Sequence, residues 1–68
     1  MSFYSIWQRM TVEEQEDACR AVRSDARLSS QMVSAMLEQT NPQVWHIWLK
    51  GLVDANVIDE ARMAELEK

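Results

Sequence analysis

The chain has 68 residues, which is enough for one domain spanning residues 1–68 and too few for two. A single cysteine excludes an internal disulfide. One cysteine and one histidine are also too few for a structural zinc site, which needs four Cys or His ligands. Eleven acidic residues against seven basic ones give a net charge of −4, which disfavours nucleic acid as a partner, because phosphate binding depends on Lys and Arg. A core this small is marginal, so a second subunit is the stabilising element that the composition leaves available.

The first predicted element is a short helix or turn over residues 3–9, which follows Ser2. Phe3, Ile6 and Trp7 fall at positions i, i+3 and i+4, so they share one face of such a helix. The segment is too short to be stable alone, and we expect it to dock on the rest of the chain.

A helix over about 12–23 is predicted next, because Thr11 and Glu14 have the spacing of a capping box. Ser24-Asp25 can cap a second helix that ends near residue 39. No Gly or Pro forces a break there, so one bent helix over 12–39 and a start at Ser29-Ser30 are the alternatives. The apolar stripe of this segment consists of Leu28, Met32, Val33, Met36 and Leu37.

Asn41-Pro42 marks the next helix start, since Asn caps a helix and Pro at the first helical position loses no needed hydrogen bond. This helix runs to about Ala55, and Asn56 can adopt the left-handed conformation that ends it. Asp59 then caps a last helix over about 60–67. Helical spacing without strand-type alternation therefore predicts an all-α fold, a small bundle of three to four short helices completed by dimerisation.

The helix over 43–55 is apolar around most of its circumference, which is typical of a buried helix. The other helices offer few large apolar residues to cover it, so we expect part of it to meet a second copy of the chain. Trp is enriched among interface hot spots, which makes the tryptophans the preferred anchors. The predicted interface comprises Trp45, Trp48, Leu49 and Leu52, together with Trp7.

The polar residues do not predict catalysis, a metal site or a cofactor. His46, Lys50 and Asp54 follow one another at i, i+4 steps, which fits a solvated strip better than an acid–base cluster, since no nucleophile accompanies them. Cys19 lies among small apolar residues and is interpreted as a buried small hydrophobe.

Arg20, Arg23 and Arg27 stand at i, i+3 and i+7 and form a basic stripe if one helix continues through them. A solvated face with ordinary ion pairs is the favoured interpretation. Contact with an anion or an acidic partner is the alternative. The following segment, SSQMVSAMLEQ, has no Arg or Lys with which to read bases, so binding of nucleic acid is not expected.

The location is predicted from what the sequence lacks. The opening MSFYSIWQRM has no basic region followed by a long apolar run, so no signal peptide is expected. No apolar stretch is long enough to cross a membrane. A single unpaired cysteine fits a reducing compartment. These features together predict a soluble cytoplasmic protein.

The chain opens with MSFYSIWQRMTVEEQ and closes with VIDEARMAELEK, and it is short, acidic and helical in character. In this it is similar to the accessory proteins of temperate phages, and it resembles most the small early open-reading-frame products of lambda-like phages, encoded between their recombination and excision genes. The ending LVDANVIDEARMAELEK also looks like a common helix–turn–helix ending, with an apolar pair before an acidic N-cap. The resemblance implies a small binding protein that alters host or phage development in the bacterial cytoplasm, and it assigns no site residues.

The leading functional hypothesis is a non-enzymatic protein-interaction module, a helical homodimer that binds a host or phage protein. The alternative is a dimeric DNA-associated regulator that uses the arginine stripe. Binding to DNA that weakens steeply as salt rises would distinguish the second hypothesis from the first.

Overall fold

A computed structural model describes all 68 residues and contains five α-helices and no β-strand. The all-α prediction is confirmed, but the helices number five rather than three to four, because residues 3–9 form a helix rather than a turn and the segment 12–39 is divided into two helices. They are α1 (Phe3–Arg9), α2 (Val12–Ser24), α3 (Ala26–Leu37), α4 (Pro42–Asp54) and α5 (Glu60–Leu66).

Each helix begins at a side chain that accepts a hydrogen bond from a backbone amide of the first turn, so the local sequence defines all five starts. At α2 the predicted capping box is present: the Glu14 amide donates to Thr11 Oγ1 at 3.1 Å, and the Thr11 amide donates to Glu14 Oε1 at 2.8 Å. Asn41 caps α4, and Pro42 is its first residue, as the sequence predicts. The five capping residues are Ser2, Thr11, Asp25, Asn41 and Asp59.

The chain breaks between α2 and α3 at Asp25, which answers the question that the sequence left open. The Asp25 carboxylate accepts from the amides of Arg27 at 2.9 Å and Leu28 at 3.3 Å. Its backbone is extended, with φ −137° and ψ 106°. A short acidic side chain therefore ends one helix and starts the next without Gly or Pro, by satisfying amides that would otherwise lack partners.

Asn56 ends α4 as predicted, with φ at +62° in the left-handed region. The Val57 amide then donates to the Leu52 carbonyl at 2.9 Å, which closes the helix end. This turn directs Ile58 into the core, where it is 7% exposed.

The core is built around α4, whose Trp48, Leu49 and Leu52 are each 0% exposed. α3 covers one side of it with Leu28 and Ala35, which are also buried. The other buried side chains come from α1, α2, α5 and the connecting turns, and they are Phe3, Ile6, Met10, Ala18, Ile58 and Leu66. Every buried residue is hydrophobic, and no polar or charged residue is buried.

Aromatic packing attaches the short helix α1 to α4. The ring centroid of Phe3 lies 4.9 Å from that of Trp48 in an edge-to-face arrangement, a favoured geometry for aromatic pairs. The ring of Trp7 is 6.2 Å from Trp48 and 6.4 Å from Phe3. The Phe3 amide also donates to the Gln39 carbonyl at 2.7 Å, which fixes the start of α1 beside the end of α3.

α3 and α4 approach closely at the only glycine in the chain. A Cβ atom on Gly51 would lie 2.7 Å from Leu28 Cδ1 and 2.8 Å from Gln31 Oε1, both closer than normal van der Waals contact. A larger residue here would have to displace the ends of the Leu28 and Gln31 side chains, so glycine is favoured by the close approach of the two helices rather than by backbone conformation.

Polar contacts hold α5 against α1 and α2. Arg62 donates to both carboxylate oxygens of Glu14, at 2.8 Å and 3.0 Å, and Arg9 donates to the carbonyls of Leu66 at 2.9 Å and Glu65 at 2.6 Å. The hydrogen bond from Arg62 is the main cause that lowers the pKa of the Glu14 carboxyl, with smaller contributions from the Thr11 cap. The same carboxylate thus caps α2 and anchors α5.

Candidate protein-interaction surface

The interface predicted from the sequence lies in the core of the single chain. Trp48, Leu49 and Leu52 are fully buried, and Trp45 is only 6% exposed. Trp7 is half-buried against Phe3 and Trp48. The prediction that Trp45, Trp48, Leu49 and Leu52 meet a second copy is wrong, because α1, α2 and α5 supply apolar side chains that complete the core within one chain. The role of half-buried Trp7 at an interface stays a prediction.

The tryptophans are further marked as packing residues by their indole N–H groups. Trp45 Nε1 and Trp48 Nε1 are buried and have no acceptor among the protein groups. An unpaired buried donor is unfavourable, so both rings stabilise the fold through the apolar area they bury rather than through a hydrogen bond. Sequence reasoning missed this feature, since nothing in the local pattern shows where the acceptors lie.

Four of the seven exposed large apolar side chains lie on α3 and α4, and the other three are Met1, Tyr4 and Val12. Leu37 is 79% exposed, and Val33 and Ile47 are each 52% exposed. Half-buried Val44 lies beside Ile47 in a shallow groove of 270 Å³ between the two helices. We call this surface the outer face, and it consists of Ser30, Val33, Ser34, Leu37, Val44 and Ile47.

The rotation of an α-helix explains why α3 has apolar residues on two sides. Leu28 and Val33 are five residues apart, which places them about 140° from each other around the axis. Leu28 is buried against α4, whereas Val33 and Leu37 point to the opposite side. The five residues that the sequence analysis grouped in one stripe therefore divide into Leu28 in the core, Met32 half-buried, and Val33, Met36 and Leu37 exposed.

A second, more polar groove of 390 Å³ continues between α3 and α4 towards the end of α4. Arg27, Lys50 and Asp54 line it and form no ion pair. His46 also lines it, and its Nδ1 is paired with the Glu67 carboxylate. Lys50 and Asp54 are exposed, as expected of a solvated strip, while His46 ties α4 to the C-terminal turn.

The continuous arginine stripe does not form. Arg20 and Arg23 lie on α2, and Arg27 lies on α3 beyond the break at Asp25. Arg20 is paired with Asp17 at 2.9 Å within its own helix. The i, i+3, i+7 spacing holds only along one helix, and the cap at Asp25 interrupts it.

Cys19 is half-buried rather than buried. It lines a shallow cleft on α2 together with Trp7, Val12 and Arg23. The prediction of a buried small hydrophobe is therefore wrong in degree, since α2 covers the core chiefly through Ala18.

No group of three or more His, Cys, Asp or Glu side chains is arranged to hold a metal ion. None of the five helices combines the length and the apolar character needed to cross a bilayer. Comparison of the chain with protein-family models gives no match, and neither do comparisons with curated proteins or with solved structures.

Proposed function

We propose that this chain is a non-enzymatic protein-interaction module that acts as a homodimer in the cytoplasm of a bacterial host, as an accessory protein of phage type. The observation that carries the proposal is the outer face, where Val33 and Leu37 on α3 and Ile47 on α4 are exposed. Exposed apolar surface marks association sites on small proteins. Burial of that surface by a partner is favourable by roughly 25 cal/mol per Å² of apolar area.

The arrangement of the polar groups supports binding rather than catalysis. His46 makes its only side-chain hydrogen bond with Glu67, and no hydroxyl or thiol stands beside it as a nucleophile. Cys19 lines a different cleft, on α2. The interior consists of hydrophobic residues alone, so its role is to hold the helices in place.

The alternative, a dimeric DNA-associated regulator, has less support because the arginines that it requires are divided between two helices. Duplex DNA near physiological salt should bind no better than a weak, salt-sensitive background. A sequence-specific gel shift that is lost with Arg20→Ala and Arg23→Ala would favour the regulator instead.

The test of the interaction module is affinity capture from a bacterial lysate with three forms of the chain. The wild type should retain a defined set of proteins, and the double variant Leu37→Ser with Ile47→Ser should lose them, because the two copies of the homodimer associate through the outer face and the partner binds the assembled dimer. Val12→Ser is the matched control, since Val12 is an apolar residue on α2 whose exposure of 68% lies between those of Leu37 and Ile47. Capture of the same proteins by all three forms would contradict the proposed surface, and capture of none by the wild type would contradict the function.

A further inference from the structure

The charges on α3 lie at its two ends. Arg27 is the only charged residue within the helix, and Glu38 follows directly at its C-cap. Both side chains are exposed, and Glu38 takes part in no salt bridge. Between them the exposed positions are Ser30, Val33, Ser34, Met36 and Leu37, none of which is charged.

Arg27 and Glu38 lie on the same side of the helix. They are eleven residues apart, which is about three turns and about 16 Å along the axis. Ser30 and Ser34 stand between them on that side, within the outer face. Arg27 near one end and Glu38 at the other therefore flank an uncharged middle, and the exposed N-cap Asp25 lies close to Arg27 in sequence.

Such a surface is complementary to a second copy of itself turned end for end. An antiparallel pair of α3 helices around a two-fold axis level with the midpoint of residues 27 and 38, next to Ser34, brings Arg27 of each copy towards Glu38 of the other. It also sets the two helix dipoles in opposite directions, which is favourable. A self-complementary patch of this kind is what a symmetric dimer requires.

The shape of the outer face fits the same arrangement. Val33 and Leu37 form a ridge at i and i+4 on α3. The groove of 270 Å³ between α3 and α4 is lined on the α3 side by Ser30, Gln31, Ser34 and Glu38. Because Ser30 and Ser34 are small, the groove leaves room for a side chain of a second copy. Ile47 and Val44 form the apolar wall of this groove on the α4 side.

From these observations we infer that two copies of this chain associate through the outer face, with antiparallel α3 helices and reciprocal Arg27–Glu38 ion pairs. The inference rests on the homodimer of the proposed function and specifies its interface. The apolar ridge supplies most of the affinity, since exposed ion pairs contribute little, and the ion pairs define the orientation of the two copies.

A charge swap tests the inference on the full chain by sedimentation equilibrium. Arg27→Glu and Glu38→Arg should each weaken the dimer about tenfold, because each creates two like-charge contacts in a symmetric pair. Both changes in one chain should restore the wild-type dissociation constant, and so should an equimolar mixture of the two single variants. Arg23→Glu and Glu13→Arg are matched controls, since they change the net charge equally on α2 and should leave the dimer unchanged.

A covalent probe reports the interface independently of affinity. Ser34→Cys, in a chain that also carries Cys19→Ala, should form a disulfide-linked dimer on mild oxidation, because the two-fold axis brings the two positions within disulfide reach. Glu13→Cys in the same background should remain monomeric on denaturing gels. Circular dichroism melting of each variant shows that it is folded.

The outcomes separate the interface from the proposed function. A wild-type dimer that the single reversals do not weaken, or that the double reversal does not restore, overturns the α3 interface and leaves the homodimer in place. A wild-type monomer at tens of micromolar overturns both the interface and the homodimer. Loss of partner capture while the charge swap behaves as expected would contradict the interaction module alone.

Discussion

The two sides of the α3–α4 pair have similar residue types and opposite environments. On the inner side, Leu28, Trp48 and Leu52 are completely or almost completely buried. On the outer face, Leu37 and Ile47 are mostly exposed. The difference comes from α1, α2 and α5, which pack over the inner side and leave the outer face uncovered. Whether an apolar side chain of a small bundle belongs to the core or to an exposed surface therefore depends on the helices that pack over it, and not on its residue type.

The largest expected effect is on the inner side. Trp48→Ala should lower the free energy of unfolding by about 3–5 kcal/mol, since it removes a fully buried aromatic ring and leaves a cavity beside Phe3 and Trp7. A domain this small has little stability to spare, so the variant should be largely unfolded at 37 °C. Chemical denaturation followed by far-UV circular dichroism measures the change. A cooperative transition near the wild-type midpoint would show that Trp48 is not a core residue.

A smaller effect is expected where the two helices touch. Gly51→Ala should lower the free energy of unfolding by about 1 kcal/mol, because the added methyl group meets buried Leu28, and this outweighs the higher helix propensity of Ala. Thermal melting compares the variant with Ala55→Gly, which changes the same residue types just beyond α4. An increase in the melting temperature of Gly51→Ala would mean that the helices are further apart than the structure shows.

The next effect concerns the ion pair between Glu14 of α2 and Arg62 of α5, whose contribution to the free energy of unfolding depends on pH. The ion pair with Arg62 lowers the pKa of Glu14 in the folded chain, so its carboxylate stabilises the fold at neutral pH. That contribution is lost as the pH falls from the ordinary Glu range through the lowered pKa. Glu14→Gln should therefore be less stable than the wild type at pH 7, and the difference should shrink towards acid pH.

Glu13→Gln is the control for this pH series, because exposed Glu13 belongs to the same helix turn and takes part in no salt bridge. Urea denaturation at several pH values gives the free energies. A difference between Glu14→Gln and the wild type that is independent of pH would contradict the ion pair.

The smallest effect on stability is expected on the outer face. Ile47→Ser should change the free energy of unfolding of the monomer by no more than about 0.5 kcal/mol, as is usual for exposed positions. Denaturation at low protein concentration measures it, so that association does not contribute. A loss comparable to that of Trp48→Ala would mean that Ile47 belongs to the core.

The helix boundaries could be predicted from the sequence because they depend on neighbouring residues. Thr11, Asn41 and Asp59 cap helices through amides two or three positions away, and Asn56 ends α4 through its own backbone. The break at Asp25 was predicted as one of several alternatives, since its capping strength competes with a continuous helix.

The burial of α4 could not be predicted in the same way, because it depends on contacts between distant parts of the chain. Arg62 reaches Glu14 across 48 positions, and Phe3 docks on Trp48. Without those contacts the tryptophans looked like uncovered surface. The outer face could be predicted in part, since the helical rotation of about 100° per residue places Val33 and Leu37 on the side of α3 opposite Leu28. A single apolar stripe of five residues does not take this rotation into account.

The central claim is that association uses the outer face while the inner side remains core. Methyl NMR of the wild-type chain, recorded over a range of protein concentrations, tests it directly. The methyl signals of Val33, Leu37 and Ile47 should shift as the concentration rises, and those of Leu49 and Leu52 should stay constant. Concentration-dependent shifts centred on Leu49 or Leu52, or shifts at none of these methyl groups, would contradict the account.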